Sequence, residues 1–217
     1  MQTLFLRPGI YVAALGDDLV SLDIDAGDYS CLLGVGGAVP PSGQDGRIDL
    51  AEDEVAELLL EARIAASQPG GDARVDLPPR AIASCWRTEN ALITVKDQRR
   101  FVRAYLSAAP RFWRAHFSGL LAAARCARCG GPQDPTTALR HDAQVFDQLS
   151  PFAPFHGECL FRAFVLLAYL RLEGRDATWV FGVRTYPFQA HCWLQVGDVV
   201  LNDAVERICA YTPILAV

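Results

Sequence analysis

The sequence predicts an α+β protein, and two patterns lead to this prediction. Three short runs with strand character come first, at 10–15, 19–24 and 29–33, each separated from the next by turn residues. Helical periodicity then marks segments over roughly 96–108, 110–127, 136–149 and 158–173, and strands follow near 177–185, 191–196 and 199–203. Helices followed by an antiparallel sheet form an α+β arrangement rather than an alternating α/β one.

The charge distribution divides this fold into two modules. Residues 1–80 contain 14 acidic and 5 basic side chains, whereas residues 96–128 contain eight basic side chains and one acidic. With the Pro/Gly-rich stretch between them, this predicts a module over 1–78 and a second over 79–217. Two solvated faces of opposite sign, docked on each other, would explain the pattern; so would a face that holds a charged partner.

Composition excludes several classes of protein. The chain has 217 residues, of which 51% are apolar and 21% charged, which is typical of a globular protein with a real core. A net charge of −5 argues against a nucleic-acid binder, and no apolar run approaches the roughly 18 residues of a membrane span. Seven cysteines without an export signal favour a reducing cytoplasm, and no phosphate-binding glycine loop supports ATP use. We expect no cofactor.

The first module is predicted to be a three-stranded meander followed by a helix. In the second strand Leu19, Ser21 and Asp23 alternate with apolar residues, which predicts one wet and one dry face. Asp49 is a candidate N-cap, with Glu52 at the capping-box position, for a helix that runs to about residue 66. The last strand leaves an open edge, to which an extended peptide can add.

Cys159 is the strongest candidate nucleophile. It stands at the first turn of a strongly apolar helix, where the helix dipole and free backbone N–H groups favour a thiolate and can hold an oxyanion. The ordinary alternative is a small buried cysteine that fills core space, and on local sequence alone this alternative is the more common one.

His191 and Asp203 strengthen the candidate. His191 begins a strand that turns at 197–198; a two-residue turn would pair it with Ala204 and leave Asp203 on the opposite face. A three-residue turn pairs Asp203 with His191, and we predict that turn or an equivalent bulge. Taken singly, the two are an ordinary strand histidine and a turn aspartate. Together with Cys159 they predict a nucleophile, a base and an orienting carboxylate.

Other candidates have simpler explanations. Cys126 and Cys129 form half of a zinc site without a second pair at suitable spacing, so no metal is expected. His156 could line a cleft but is more simply a loop histidine. Phe112 and Trp113, between arginines, suit base stacking, yet an amphipathic helix packed on other elements explains them better.

The second module resembles the C-terminal domain of the lasso-peptide B proteins, a transglutaminase-like, papain-like cysteine peptidase family. The matching pieces are Cys159-Leu160, Ala168-Tyr169-Leu170-Arg171, Trp179-Val180-Phe181-Gly182-Val183, Pro187-Phe188-Gln189-Ala190-His191-Cys192-Trp193, Val200-Leu201-Asn202-Asp203 and Tyr211-Thr212-Pro213-Ile214. The first module is similar to the small, winged-helix-like PqqD-like elements that recognise leader peptides, through Asp23, Gly27-Asp28-Tyr29 and Leu32.

The resemblance implies a cysteine leader peptidase that acts on a ribosomally made precursor, before a separate asparagine-synthetase-like cyclase closes the macrolactam. It implies Cys159 as nucleophile, His191 as base and acid, and Asp203, rather than Glu158, as orienting carboxylate. The leader is expected to contact Tyr29, Cys31, Leu33, Leu58 and Trp193. Two alternatives stay open: an acyltransferase on the same scaffold, and a non-catalytic adaptor that presents the precursor to the cyclase.

Overall fold

The computed structural model of the chain describes residues 2–39, 46–70, 76–85, 91–126, 137–155 and 157–217, and it is a mixed helix and sheet fold. The strands in these ranges are β1 (Gln2–Leu6), β2 (Ile10–Leu15), β3 (Asp18–Asp23), β4 (Asp28–Leu32), β5 (Arg47–Leu50), β6 (Ala65–Ala66), β7 (Ala83–Ser84), β8 (Thr178–Arg184), β9 (Gln189–Val196), β10 (Val199–Val200) and β11 (Thr212–Ala216). The helices are α1 (Asp53–Glu61), α2 (Val95–Arg114), α3 (Phe117–Cys126), α4 (Thr137–Leu149), α5 (Cys159–Arg171) and α6 (Val205–Ile208).

Two small antiparallel sheets form the first part of the chain. The predicted meander is present as β2-β3-β4, and a second sheet has the order β5-β1-β6. Strand β1 was not predicted, and the predicted start of the helix at Asp49 is wrong. Asp49 lies in β5 opposite Thr3, whose hydroxyl donates to the Asp49 carboxylate at 2.7 Å, so this side chain is not available as a cap. The helix begins four residues later, after Glu52, which makes no side-chain capping bond.

Both faces of the meander are covered. One face packs with α1 and the β5-β1-β6 sheet into a small core, which includes Leu4, Leu19, Ile48, Leu50 and Leu59. The other face contributes Tyr11, Val20 and Leu22 to a large core shared with the rest of the chain. The predicted wet face is therefore wrong: Leu19 and Ser21 are buried, because the second sheet lies over them.

The second part of the chain consists of helices packed around a five-stranded sheet with the order β11-β8-β9-β10-β7. Helix α2 runs through Pro110, where a break was predicted, and ends at Arg114. Its start is fixed by a capping box between Thr94 and Asp97. Its apolar face, with Phe101, Ala104 and Ala108, is buried in the large core, and this burial offsets the one hydrogen bond that a proline removes.

A buried ion pair ties these helices to α5. The guanidinium of Arg100 on α2 donates to both carboxylate oxygens of Asp142 on α4, at 2.6 and 3.2 Å. It also lies 3.8 Å above the ring centroid of Tyr169 on α5. A bidentate pair with a stacked ring is a rigid arrangement, so it restrains the helix that begins at Cys159.

Among the described residues, no helix is both long and apolar enough to cross a bilayer.

Candidate active site

Helix α5 begins at Cys159, as the sequence predicts. Gly157 before it has a φ of +62°, and a Cβ there would lie 2.6 Å from the side chain of Phe161, so only glycine lets the chain fold this closely over the first turn. Most of α5 is buried in the large core, whereas Cys159 at its first position is only partly buried. The thiol therefore lies at the positive end of a firmly packed helix.

The hairpin after His191 differs from the prediction. Val196 pairs with Val199, so the turn has two residues and the predicted three-residue turn is wrong. The ladder nevertheless ends at Leu201, whose N–H donates to the Leu194 carbonyl at 2.9 Å. Asn202 then turns its side chain onto β9, where its Oδ1 accepts the Leu194 N–H at 2.8 Å, in place of a backbone carbonyl. The chain thereby leaves the strand pattern before it reaches Asp203.

Asp203 comes to His191 by this route. Its Oδ2 lies 2.6 Å from His191 Nε2, and its Oδ1 accepts the Ala204 N–H at 2.7 Å. The hydroxyl of Ser84 on β7 donates to the Asp203 carbonyl at 2.5 Å and holds the backbone at this point. Burial alone would raise the pKa of the Asp203 carboxyl, but the hydrogen bonds from His191 and Ala204 keep it below its usual value.

His191 and Cys192 determine the charge state of the Cys159 thiol. Hydrogen bonds from the Cys192 side chain, from the His191 ring and from the Cys192 backbone N–H outweigh burial and lower the pKa of Cys159 to about 4. Burial opposes the charged form of His191, yet its hydrogen bonds to Asp203 and Cys159 raise its pKa to about 9. Between these values the pair is a thiolate and an imidazolium. Because Nε2 is bonded to Asp203, Nδ1 is the ring nitrogen left for the thiol.

This arrangement is chemically suited to acyl transfer. A thiolate at a helix N-terminus can attack a carbonyl carbon, an imidazolium beside it can protonate the leaving group, and the free N–H groups of a helix's first turn can stabilise an oxyanion. Glu158, the other carboxylate near the nucleophile, is exposed and makes no capping bond, in contrast to the buried Asp203.

The five predicted leader contacts have different environments. Tyr29 on β4 is half-buried and its ring centroid lies 5.7 Å from that of Phe188, just before β9. Burial is the main cause that raises the pKa of the Tyr29 hydroxyl. Cys31 on the same strand is exposed, as are Leu33 at 71% and Leu58 on α1 at 43%.

The prediction that Trp193 contacts the leader is wrong. Its side chain is buried with Val180, Val200 and Ile208, and a Cβ on Gly182 would lie 2.9 Å from its ring. The indole N–H donates to Gln195 at 3.0 Å. Trp193 therefore packs on the same face of β9 as His191, in the interior, and is not accessible to a bound peptide.

The minor candidates contribute little. His156 and Cys129 lie outside the described residues, and Cys126 is exposed at the end of α3. Phe112 and Trp113 pack against rings near α5, at 5.0 Å from Phe161 and 5.0 Å from Phe155. Within the part of the chain that the structure describes, no three His, Cys, Asp or Glu side chains are grouped as metal ligands.

Sequence reasoning missed Cys192. It adjoins His191 in the chain, and that adjacency was the signal available, but strand alternation assigns consecutive side chains to opposite faces.

Comparison with known proteins covers the part of the chain that carries this site. Residues 102–216 match the family model of the transglutaminase-like superfamily, a range that contains Cys159, His191 and Asp203. A stretch of 50 residues is 44% identical to the microcin J25-processing protein McjB of Escherichia coli. That stretch spans 23% of this chain and 24% of McjB, so most of either chain is not aligned. No solved structure shows a significant match. Because the family model covers more than half of its residues, the chain belongs to the transglutaminase-like superfamily.

Proposed function

We propose that the chain is a cysteine leader peptidase that hydrolyses the leader–core bond of a ribosomally made lasso precursor. The observation that carries the proposal is the contact of Cys159, His191 and Asp203 within the transglutaminase-like region. The similarity to McjB, a processing protein of microcin J25, supports a precursor peptide as the substrate class.

The mechanism is acyl transfer to water. The Cys159 thiolate attacks the scissile carbonyl carbon, and the carbonyl electrons move to an oxyanion held by the Cys159 backbone N–H. When the C–N bond breaks, the His191 imidazolium gives its proton to the leaving nitrogen, which becomes the free amine of the core. The leader is left as a thioester on Cys159. Neutral His191 then takes a proton from water, which attacks the thioester, and the leader departs as a carboxylic acid.

The first module, over residues 1–78, is proposed to capture the leader as a PqqD-like element, and 79–217 to form the peptidase. The capture edge is β4, the outer strand of the β2-β3-β4 sheet. Leu33 directly after it is exposed and can bind apolar leader side chains. Tyr29 supports the link between the modules because it lies on this edge strand and its ring packs near that of Phe188, three residues before His191. A captured leader thus has a short path to the nucleophile.

An asparagine-synthetase-like cyclase is the proposed consumer of the product. Hydrolysis yields a free core amine, and closing this amine onto a side-chain carboxylate requires activation of that carboxylate. The mechanism proposed for Cys159 performs no such activation, so a separate ATP-using enzyme must supply it.

Isotope labelling tests the reaction. A precursor peptide from the chain's own genome is incubated with the protein in ¹⁸O-water, and the products are weighed by mass spectrometry. We expect a leader with one ¹⁸O in its new carboxylate and a core with a free amine. If an added primary amine instead appears on the leader as an amide, and no ¹⁸O acid forms, the chain is an acyltransferase.

N-methylation of the leader tests capture on β4. Strand addition uses every second N–H of the added peptide, so single N-methyl groups along the leader should weaken binding at alternate positions, by about tenfold each. Binding is measured by fluorescence anisotropy with the Cys159→Ala variant, which does not turn the peptide over. The neighbouring N-methyl peptide is the matched control at each step. A uniform response along the leader would rule out strand addition.

A further inference from the structure

The loop between β8 and β9, residues 185–188, presents two aromatic side chains to solvent. Tyr186 is 79% exposed and Phe188 is 48% exposed. Residues 186–190 are all exposed, and the next residue, His191, is half-buried. Large apolar side chains that are exposed together often mark a binding surface, and the proposed mechanism does not use these two.

This loop is held against the meander at two points. The Tyr186 hydroxyl donates to Oδ2 of Asp18 at 2.5 Å, and Oδ1 of the same buried carboxylate accepts the N–H of Gly34, just beyond β4, at 3.2 Å. The ring centroid of Phe188 lies 5.7 Å from that of Tyr29, near the start of β4. The loop is therefore held beside both ends of the proposed capture edge.

Tyr186 has an unusual backbone conformation for a residue with a side chain. Its φ is +56°, in the left-handed region that such residues seldom adopt. The bond from its hydroxyl to Asp18, which is 5% exposed, is a contact that can maintain this conformation. Because the hydroxyl is bonded in this way, the ring keeps one orientation although most of its surface is exposed.

The same hairpin fixes the loop relative to the proposed base. Gln189, the first residue of β9, accepts hydrogen bonds from Arg184 at 2.6 Å and from the hydroxyl of Tyr211 at 3.1 Å. The ring centroid of Tyr211 lies 5.3 Å from that of His191. His191 follows Phe188 by three residues, which corresponds to about 10 Å along a strand. The exposed rings thus keep a fixed distance from the base.

A precursor that follows the proposed path crosses this loop. Its leader adds to β4 and its scissile carbonyl reaches Cys159, so the segment between them passes the exposed surface of residues 186–190. An extended segment advances by about 3.3 Å per residue, which places the side chain next to Phe188 about three residues before the scissile bond. Two fixed rings favour an apolar side chain there, through burial and ring stacking, and disfavour a charged one, which would lose hydration.

We propose that Tyr186 and Phe188 are specificity-determining residues, which bind an apolar side chain of the precursor about three residues before the scissile bond. The proposal rests on the proposed function and names a part of the substrate that this function recognises. Asp18 is a positioning residue in this arrangement, because it acts on the precursor only through the ring of Tyr186.

Paired precursor peptides test this specificity. Leucine and aspartate are placed in turn at each of the five positions before the scissile bond, and the two peptides of a pair compete in one reaction with the full chain. Mass spectrometry of the cleaved leaders gives the ratio of kcat/KM for leucine over aspartate. We expect this ratio to be about tenfold or more near the third position.

Substitutions in the loop should lower this ratio. Phe188→Ala should reduce it to about twofold near the third position and leave it unchanged at positions that do not contact the loop. Tyr186→Phe keeps the ring but loses the bond to Asp18, so its effect should be smaller than that of Tyr186→Ala. Leu106→Ala is the matched control, because Leu106 is an apolar side chain on α2 that is 66% exposed, and it should keep the parent ratio. A merely structural role of the loop would slow the cleavage of all peptides alike.

The outcomes separate this proposal from the proposed function. If the parent cleaves none of the peptides, or Cys159→Ala cleaves them equally well, the peptidase itself is wrong. If the parent cleaves them and Phe188→Ala keeps the parent ratio at every position, the peptidase stands and the role of the loop is wrong. Should Phe188→Ala fail to fold, Tyr186→Ala removes the more exposed ring and carries the same expected loss.

Discussion

Cys159→Ala is expected to lower the rate of leader cleavage by about 10⁴-fold or more while leaving precursor binding intact. The substitution removes the sulfur that forms the thioester, so no acyl-enzyme can accumulate. The proposed capture edge, β4, lies in a different part of the chain, so we expect it to keep its structure. Cleavage is measured by mass spectrometry of the products, and binding by anisotropy of a labelled precursor.

The same variant decides between a peptidase and an adaptor. A non-catalytic adaptor that presents precursor to a cyclase would support maturation equally well with Cys159→Ala. Maturation that proceeds at the parent rate with this variant would therefore eliminate the peptidase. Cys209→Ala is the matched control, since Cys209 is an exposed thiol on the turn before β11, and it should cleave at the parent rate.

Asp203→Asn should reduce kcat by about 10³-fold with little change in KM. The amide can still hydrogen-bond to His191 Nε2 but carries no charge to stabilise the imidazolium. The pKa of His191 is raised to about 9 in the parent partly through this carboxylate. Without it that pKa falls, and His191 loses its proton at lower pH. The alkaline limb of the kcat profile should therefore move toward neutral pH.

Two further variants complete this experiment. Asp198→Asn makes the same chemical change on the same hairpin, at the turn beyond the end of β9, and should behave as the parent. Glu158→Gln removes the other carboxylate near the nucleophile. A parent-like profile in Asp203→Asn together with a loss in Glu158→Gln would move the orienting role from Asp203 to Glu158.

Much of the site was predictable because local chemistry specifies it. A cysteine that opens an apolar helix and a histidine at a strand start can be recognised from residue type and periodicity alone. Asp203 was identified by an incorrect route: the turn has two residues, and the side chain of Asn202 replaces a backbone partner to bring Asp203 to His191. The rules for pairing residues across a hairpin assume an uninterrupted ladder of backbone hydrogen bonds. They cannot predict that a side chain will end this ladder.

The remaining errors concern burial between distant segments. Leu19 and Ser21 were predicted to be exposed, but β1 and β5, which are separated by most of the first module, cover that face. Trp193 was predicted to contact the leader, but α6 and β10 enclose its ring. Both cases depend on which parts of the chain meet in three dimensions. The alternation of apolar and polar residues along one strand does not show which distant segments cover its faces.

The two covered faces of the meander have a consequence for engineering. Tyr11, Val20 and Leu22 contact the large core, and Asp18 at the start of β3 accepts a hydrogen bond from Tyr186 at 2.5 Å. In a chimera designed to process foreign precursors, replacing the whole meander would also replace residues of the large core. The core of the enzyme would then be disrupted. Such a chimera would have to graft the outer strand alone and retain the inward residues of its neighbours. The proposed specificity for the leader would therefore have to be transferred by exchanging β4 alone.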